Sequence, residues 1–114
     1  MRFVINNKEY KFHLNGNVTA SDIAAKLPLK LRAHRKSGHK HYADLPFTPT
    51  KASLTATKLN AGHLYYWPGG NAFVVNFKDF DTYPYKEVHI GEITDPSVSE
   101  VLQKSGASVS VEIR

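Results

Sequence analysis

The stretch His63-Leu64-Tyr65-Tyr66-Trp67-Pro68-Gly69-Gly70-Asn71-Ala72-Phe73-Val74-Val75-Asn76-Phe77 decides the fold. Two runs rich in aromatic and β-branched residues flank a Pro-Gly-Gly-Asn turn, which is the composition of a β-hairpin. With Trp67 opposite Ala72, the side chains sort by parity. Leu64, Tyr66, Phe73, Val75 and Phe77 form one apolar face, suited to a core. His63, Tyr65, Trp67, Ala72, Val74 and Asn76 form the other face, which is mixed.

Upstream, Arg2 to Leu14 reads as a second hairpin. Asn6-Asn7 suits a two-residue turn because Asn tolerates positive φ. Ile5 then faces Lys8, Phe3 faces Tyr10 and Val4 faces Glu9. Phe3, Ile5, Tyr10 and Phe12 share a core face, while Arg2, Val4, Glu9, Lys11 and His13 share a wet one. Asn15-Gly16-Asn17 ends this hairpin. The capping signal Thr19-Ala20-Ser21-Asp22 predicts a short helix over about Ala20 to Lys26, stopped before Pro28. Leu29, Leu31 and Ala33 alternate with Lys30, Arg32 and His34, giving a strand. A turn near Lys36-Ser37-Gly38 leads to a partner strand over about Lys40 to Leu45. Pro46 and Pro49 impose an irregular stretch, with a short strand expected near Ser53 to Thr55.

Downstream, a polar, aromatic loop over Lys78 to Lys86 precedes a strand over Glu87 to Ile93. Gly91 there marks a bulge or a close backbone approach. Asp95-Pro96 starts a helix over about Pro96 to Lys104, ended by Ser105-Gly106. Val109, Val111 and Ile113 alternate with polar residues in a last strand. About eight short strands and two short helices point to an all-β barrel or sandwich.

Composition sets bounds on this reading. A chain of 114 residues is long enough for one domain, 1–114, with one real core. Hydrophobic residues at 41% and charged residues at 22% are ordinary for a globular protein. The absence of cysteine excludes disulfide scaffolds, zinc–cysteine sites and thiol catalysis. No apolar run approaches the ~20 residues that span a membrane, and no signal peptide precedes the first strand pattern. A soluble, cytoplasmic protein with no membrane partner is expected. The net charge is +5, and Lys26 to His41 alone carries six cations and no acidic residue.

Five stretches, in order, carry a resemblance. They are Leu27-Pro28-Leu29-Lys30-Leu31, Leu45-Pro46, Ala61-Gly62-His63-Leu64-Tyr65-Tyr66-Trp67-Pro68-Gly69-Gly70-Asn71-Ala72-Phe73, Lys78-Asp79-Phe80 and Val88-His89-Ile90-Gly91-Glu92-Ile93. Together they resemble a small cyclophilin-like β-barrel family of short, mostly microbial proteins, over nearly the whole chain. The resemblance implies a mainly β fold: a closed cyclophilin-like barrel of about eight strands with two short helices. It does not carry over peptidyl-prolyl isomerase activity. True cyclophilins have a catalytic arginine in a Phe-His-Arg stretch and a Gln-Gly-Gly segment. Here Leu14 follows Phe12-His13, and the only glutamine is Gln103.

Several constellations bear on chemistry. A turn centred near Ser37 would set His34 across from His41, with His39 two residues along. Such imidazoles can bind a transition metal, but Lys36 and Lys40 oppose a cation and a fourth ligand is missing. No metal or cofactor is expected. No serine sits in a nucleophile elbow. Asp79 and Asp81 read as a hydrophilic loop. Pro68-Gly69-Gly70-Asn71 lacks the helix and lysine of a phosphate loop. The basic segment could attract nucleic acid, with Tyr42 as a stacking platform, but alternation with leucines explains its charges as a strand's wet face.

The aromatic outer face is the strongest functional signal. Tyr65 and Trp67 either line a cleft or are covered by the chain. The leading expectation is a binding module for a small molecule or an extended peptide. Its cleft would draw on Tyr65, Trp67 and Asn71, with Arg32 and Tyr42 as contributors. A prolyl isomerase and a weak nucleic-acid binder are the alternatives.

Overall fold

The computed structural model describes residues 1–114. Its first turn follows from side-chain chemistry. Asn6 and Asn7 take φ of 50° and 68°, which Asn tolerates and which suits the twist of a tight hairpin. Strand β1 (Arg2–Ile5) therefore folds back on β2 (Lys8–Leu14) with Phe3 opposite Tyr10 and Ile5 opposite Lys8. Helix α1 (Val18–Ala24) follows, then β3 (Leu29–Lys36), β4 (Lys40–Asp44), β5 (Lys58–Leu59), β6 (His63–Trp67) and β7 (Ala72–Asn76). The chain ends with β8 (Phe80–Asp81), β9 (Val88–Ile93), α2 (Ser97–Lys104) and β10 (Ser108–Ile113).

Eight strands close into an antiparallel barrel in the order β1-β10-β3-β4-β7-β6-β9-β2. The two-residue strands β5 and β8 form a separate small sheet. Closure is made by the chain ends. Phe3 lies opposite Ile113, and Arg2 and Arg114 exchange backbone hydrogen bonds of 2.9 Å each. The inward face of every barrel strand feeds one core that includes Phe3, Ile5, Phe12, Leu64, Phe73, Phe77 and Ile90. Phe3 packs edge-on against Phe12 and stacks on Phe73, at centroid distances of 5.9 and 6.2 Å. Val98 and Leu102 from α2, and Ala20 and Ile23 from α1, are buried in the same core. No helix is long and apolar enough to cross a membrane.

Three sequence expectations shift. Helix α1 begins two residues before the predicted start, because Asn17 is its cap and its Oδ1 accepts from the Ala20 N–H at 2.8 Å. The residues of the predicted capping signal hold the following loop instead. Thr19 Oγ1 donates to the Thr50 carbonyl and accepts from Ala52 N–H, while Asp22 accepts from Thr50 N–H at 2.7 Å. The strand expected at Ser53 to Thr55 forms later, at Lys58–Leu59, where Leu59 can pair with Phe80.

The third correction concerns β3 and β4. Ser37 and Gly38 both take positive φ, and His39 completes a three-residue loop. The register moves by one residue, so His34 faces Tyr42 and Arg35 faces His41. A one-residue slip sends alternate side chains to opposite faces. His41 is therefore fully buried toward the core, where Nε2 approaches Ser105 Oγ at 3.1 Å, whereas His34 stays exposed outside. The three histidines do not converge. Arg35 caps α2, donating to the Gln103 carbonyl at 2.7 Å.

Gly91 is a close approach, as its place in the strand suggested. A Cβ there would run into the His13 carbonyl oxygen, and the β6–β9 register shifts between Leu64 and Tyr65 beside it. Gly91→Ala is expected to destabilise the fold by about 3 kcal/mol, the upper end of ordinary overpacking. Gly16→Ala, which meets nothing within 4 Å, is the near-neutral control. Urea denaturation of the two variants checks both.

Candidate functional site

The outer face of β4, β7 and β6 is where the barrel departs from a plain wet wall. Tyr42, Val74 and Tyr65 lie side by side across these strands. Their apolar surface must be removed from water, and the β5–β8 sheet does so. Leu59, Tyr65 and Val74 form a second small core, with Tyr42 and Trp67 packed against it. This roof is fastened by backbone bonds between Ala56 and Glu87, and by Asp79 Oδ1 accepting from Ala61 N–H at 2.8 Å. Tyr65 is only 1% exposed, and its hydroxyl oxygen accepts from Asn60 N–H at 2.8 Å. Burial pushes its phenol above the usual tyrosine range.

Trp67 stands at the edge of the roof and stays half-buried. Its indole folds back over its own turn. A Cβ on Gly70 would sit 2.8 Å from the ring, and one on Gly69 would sit 3.0 Å from the ring nitrogen. The glycines thus leave room for the indole. The Lys36 and Lys40 ammonium groups each lie 4.8 Å from the Trp67 ring, within cation–π range. Beside them opens a cleft of about 400 Å³, walled by Trp67, Phe80, Tyr85, Thr82, His39 and Lys36.

The floor of the cleft is an ion pair. Lys40 Nζ lies 3.4 Å from Glu87 Oε2, with side chains only 7% and 2% exposed. Glu87 Oε1 has no hydrogen-bond partner. Burial pushes the Glu87 carboxyl above the ordinary range, and Lys40 pulls it partly back. His39 stacks flat on Phe80, with centroids 3.8 Å apart, and its Nδ1 faces the Ser37 carbonyl at 3.3 Å. A carbonyl only accepts, so Nδ1 carries the hydrogen and the buried, unpartnered Nε2 is an acceptor. Burial holds His39 below the ordinary histidine range. Buried ion pairs are poor stabilisers compared with apolar packing, so this one calls for another reason.

The sequence-chosen residues divide. Tyr42, Tyr65 and Trp67 come together, but only Trp67 lines the cleft; Tyr65 lies beneath the roof. Asn71 serves the hairpin turn. Its Oδ1 accepts from the Tyr66 hydroxyl at 2.7 Å and its Nδ2 donates to the Phe47 carbonyl at 3.0 Å. Arg32 lies on another part of the wall, donating to Ser110 Oγ at 2.9 Å, beside a broad depression of about 730 Å³. The basic segment also disperses. Lys40 is buried against Glu87, Arg35 caps α2, and Lys30 approaches Glu112 at 4.0 Å.

Two features escaped sequence reading. Phe80, Tyr85 and Glu87 join the cleft only because the roof folds over β6 and β7. A row of polar residues also crosses β2, β9 and β6. Glu92 is contacted by His13 Nε2 at 3.2 Å and His63 Nε2 at 3.1 Å, and His63 Nδ1 meets His89 Nε2 at 3.0 Å. Simple alternation sets His89 and Glu92, three residues apart, on opposite faces; the irregularity beside Gly91 turns both outward, and strand order then joins them to His63. No group of three or more such side chains is disposed to hold a metal ion.

A closed, eight-stranded antiparallel barrel with two short helices places the chain among the small closed β-barrels. Residues 3–114 match the family model described as Cyclophilin-like family, and the chain belongs to that family. It is similar in fold to a hypothetical protein from Archaeoglobus fulgidus solved in solution. The TM-score is 0.73 at 22% identity, over 97% of this chain and 89% of the other. No curated protein matches the sequence.

Two outcomes test this geometry. Gly70→Ala is expected to lift the indole off its turn, shifting the emission of the single tryptophan to longer wavelength. Lys40→Met at pH 7 strands Glu87 and is expected to cost about 3 kcal/mol, whereas Lys40→Met with Glu87→Leu recovers most of that loss. Denaturation of the single and double variants reads the difference.

Proposed function

We propose that the protein is a binding module whose outer-wall cleft takes a small, flat, anionic molecule. One observation carries this reading: a half-buried indole and two exposed aromatic rings stand over a buried, incompletely bonded Lys40–Glu87 pair. Aromatic walls with a few placed polar groups are the usual make-up of a ligand site, and about 400 Å³ suits a small molecule. Lys36 lies at the mouth without a carboxylate partner, so it favours an anionic substituent. The Lys40–Glu87 pair is then retained for recognition rather than for stability. A small molecule fits the cleft better than an extended peptide, because the roof closes the barrel wall on the β5 side.

Aromatic carboxylates and their neutral amides, tested by Trp67 fluorescence and ligand-observed NMR, decide the matter. Carboxylates are expected to bind more tightly than the matching amides. Trp67→Leu and Lys36→Gln are each expected to weaken binding about tenfold, equivalent to ~1.4 kcal/mol. Equal binding by both folded variants would overturn the assignment.

A further inference from the structure

The polar row on the opposite side of Tyr65 is bonded in one direction only, and this follows from donors and acceptors alone. Asn17 Oδ1 accepts from Ala20 N–H while its Nδ2 donates to the His89 carbonyl at 2.9 Å. Asn15 Nδ2 donates to the same carbonyl at 3.0 Å and lies 3.2 Å from His89 Nδ1. An amide nitrogen only donates, so His89 Nδ1 must be the acceptor and the ring hydrogen sits on Nε2. That N–H points at His63 Nδ1 at 3.0 Å, which must then accept. The His63 hydrogen is left on Nε2, 3.1 Å from Glu92 Oε2. Each step forces the next.

Both ring nitrogens of His63 and of His89 are occupied. The row therefore offers no free base to a substrate, and its contacts run in a line rather than around a point. What it does instead is oppose a second proton on His89. A hydrogen on His89 Nδ1 would face the Asn15 amide, placing two donors together and breaking that link.

We propose that the Asn15–His89–His63–Glu92 row is a proton-sensitive latch holding the Asn15–Asn17 loop, and with it the start of α1, against β9. The groups around His89 are consistent with this. From β6 come His63 and Tyr65, whose rings lie 4.8 and 5.2 Å from it. From β9 comes Glu92, and from β2 comes His13 on the far carboxylate oxygen. The loop before α1 brings only amides, and Leu54, Thr55 and Ala56 bring no charge to the adjoining cavity of about 540 Å³. Burial, reinforced by His63, outweighs the Gly91 carbonyl and Glu92, which favour the charged ring, and holds His89 below the ordinary histidine range.

The sign follows. The unfolded chain takes up His89's proton at a higher pH than the folded one. The latch's contribution to stability is therefore full above the ordinary histidine value near 6.5 and declines below it, and the latch itself opens as pH falls through the lower folded value. His39 and His41 are also held low by burial. Overall acid stability thus cannot isolate the latch, and a local readout is required.

NMR of the 114-residue chain between pH 8 and pH 4.5 provides it. At pH 8, ring nitrogen shifts are expected to show His89 hydrogenated on Nε2. As His89 takes its proton, the amides of Asn15 to Ala20 are expected to shift and to lose exchange protection at the same midpoint. Asn15→Ala removes the opposing donor and is expected to raise that midpoint by about one pH unit, the usual scale of a perturbed histidine. An Nδ1–H tautomer at pH 8 overturns the proposal. So does protonation that leaves the loop amides unmoved, or an unchanged midpoint in the variant.

Discussion

Everything in this structure depends on closure of the sheet by its two ends. Strand β1 pairs with β2 on one side and with β10 on the other, so Arg2 and Arg114 become backbone neighbours. A closed barrel has no edge strands to protect. Its interior must be filled by side chains, and the alternation along each strand leaves no choice about which ones. Phe3, Ile5, Phe73 and Ile113 are completely or almost completely buried for that reason. Closure also brings strands distant in sequence into contact, at the cost of tight spots. Gly91 against the His13 carbonyl is the tightest, and no side chain fits there.

Closure settles the inner face and leaves the outer one as a problem. On β4, β7 and β6 the outward residues include Tyr42, Val74 and Tyr65, too apolar to stand in water. The chain answers with the roof of β5 and β8. Covering that wall also covers Lys40 and Glu87, two charges that a solvated barrel would leave outside. The roof stops short at Trp67, and the gap is the cleft. Candidate site and buried ion pair therefore share one cause. The same argument explains why the excess charge of Lys26 to His41 does not survive as a patch. Its members point inward, outward and under the roof, and each meets a different partner.

Local reading worked for the β1–β2 and β6–β7 hairpins. Asn6-Asn7 determined both the turn and the Phe3–Tyr10 register, and Trp67 opposite Ala72 sorted the central hairpin correctly. It failed at Ser37-Gly38-His39, where two-residue and three-residue loops look alike in sequence but differ by one residue in register. It also failed at Thr19 and Asp22. Those residue types cap helices and also bind loop backbones, and only the position of Thr50 and Ala52 distinguishes the uses.

The sequence by itself determined the eight barrel strands, the inner faces of the first and central hairpins and the identity of Trp67 as an outward aromatic, because these depend on alternation and turn chemistry between near neighbours. Tertiary structure decided what Trp67 stands beside. Phe80, Tyr85 and Glu87 reach it across the roof, while Tyr65 is hidden and Asn71 and Arg32 are used elsewhere. It likewise decided that His13, His63, His89 and Glu92 form one row, since they come from β2, β6 and β9. The physical reason is common to both. Side-chain direction is a local property of a strand, but which strands are adjacent is a property of the closed sheet.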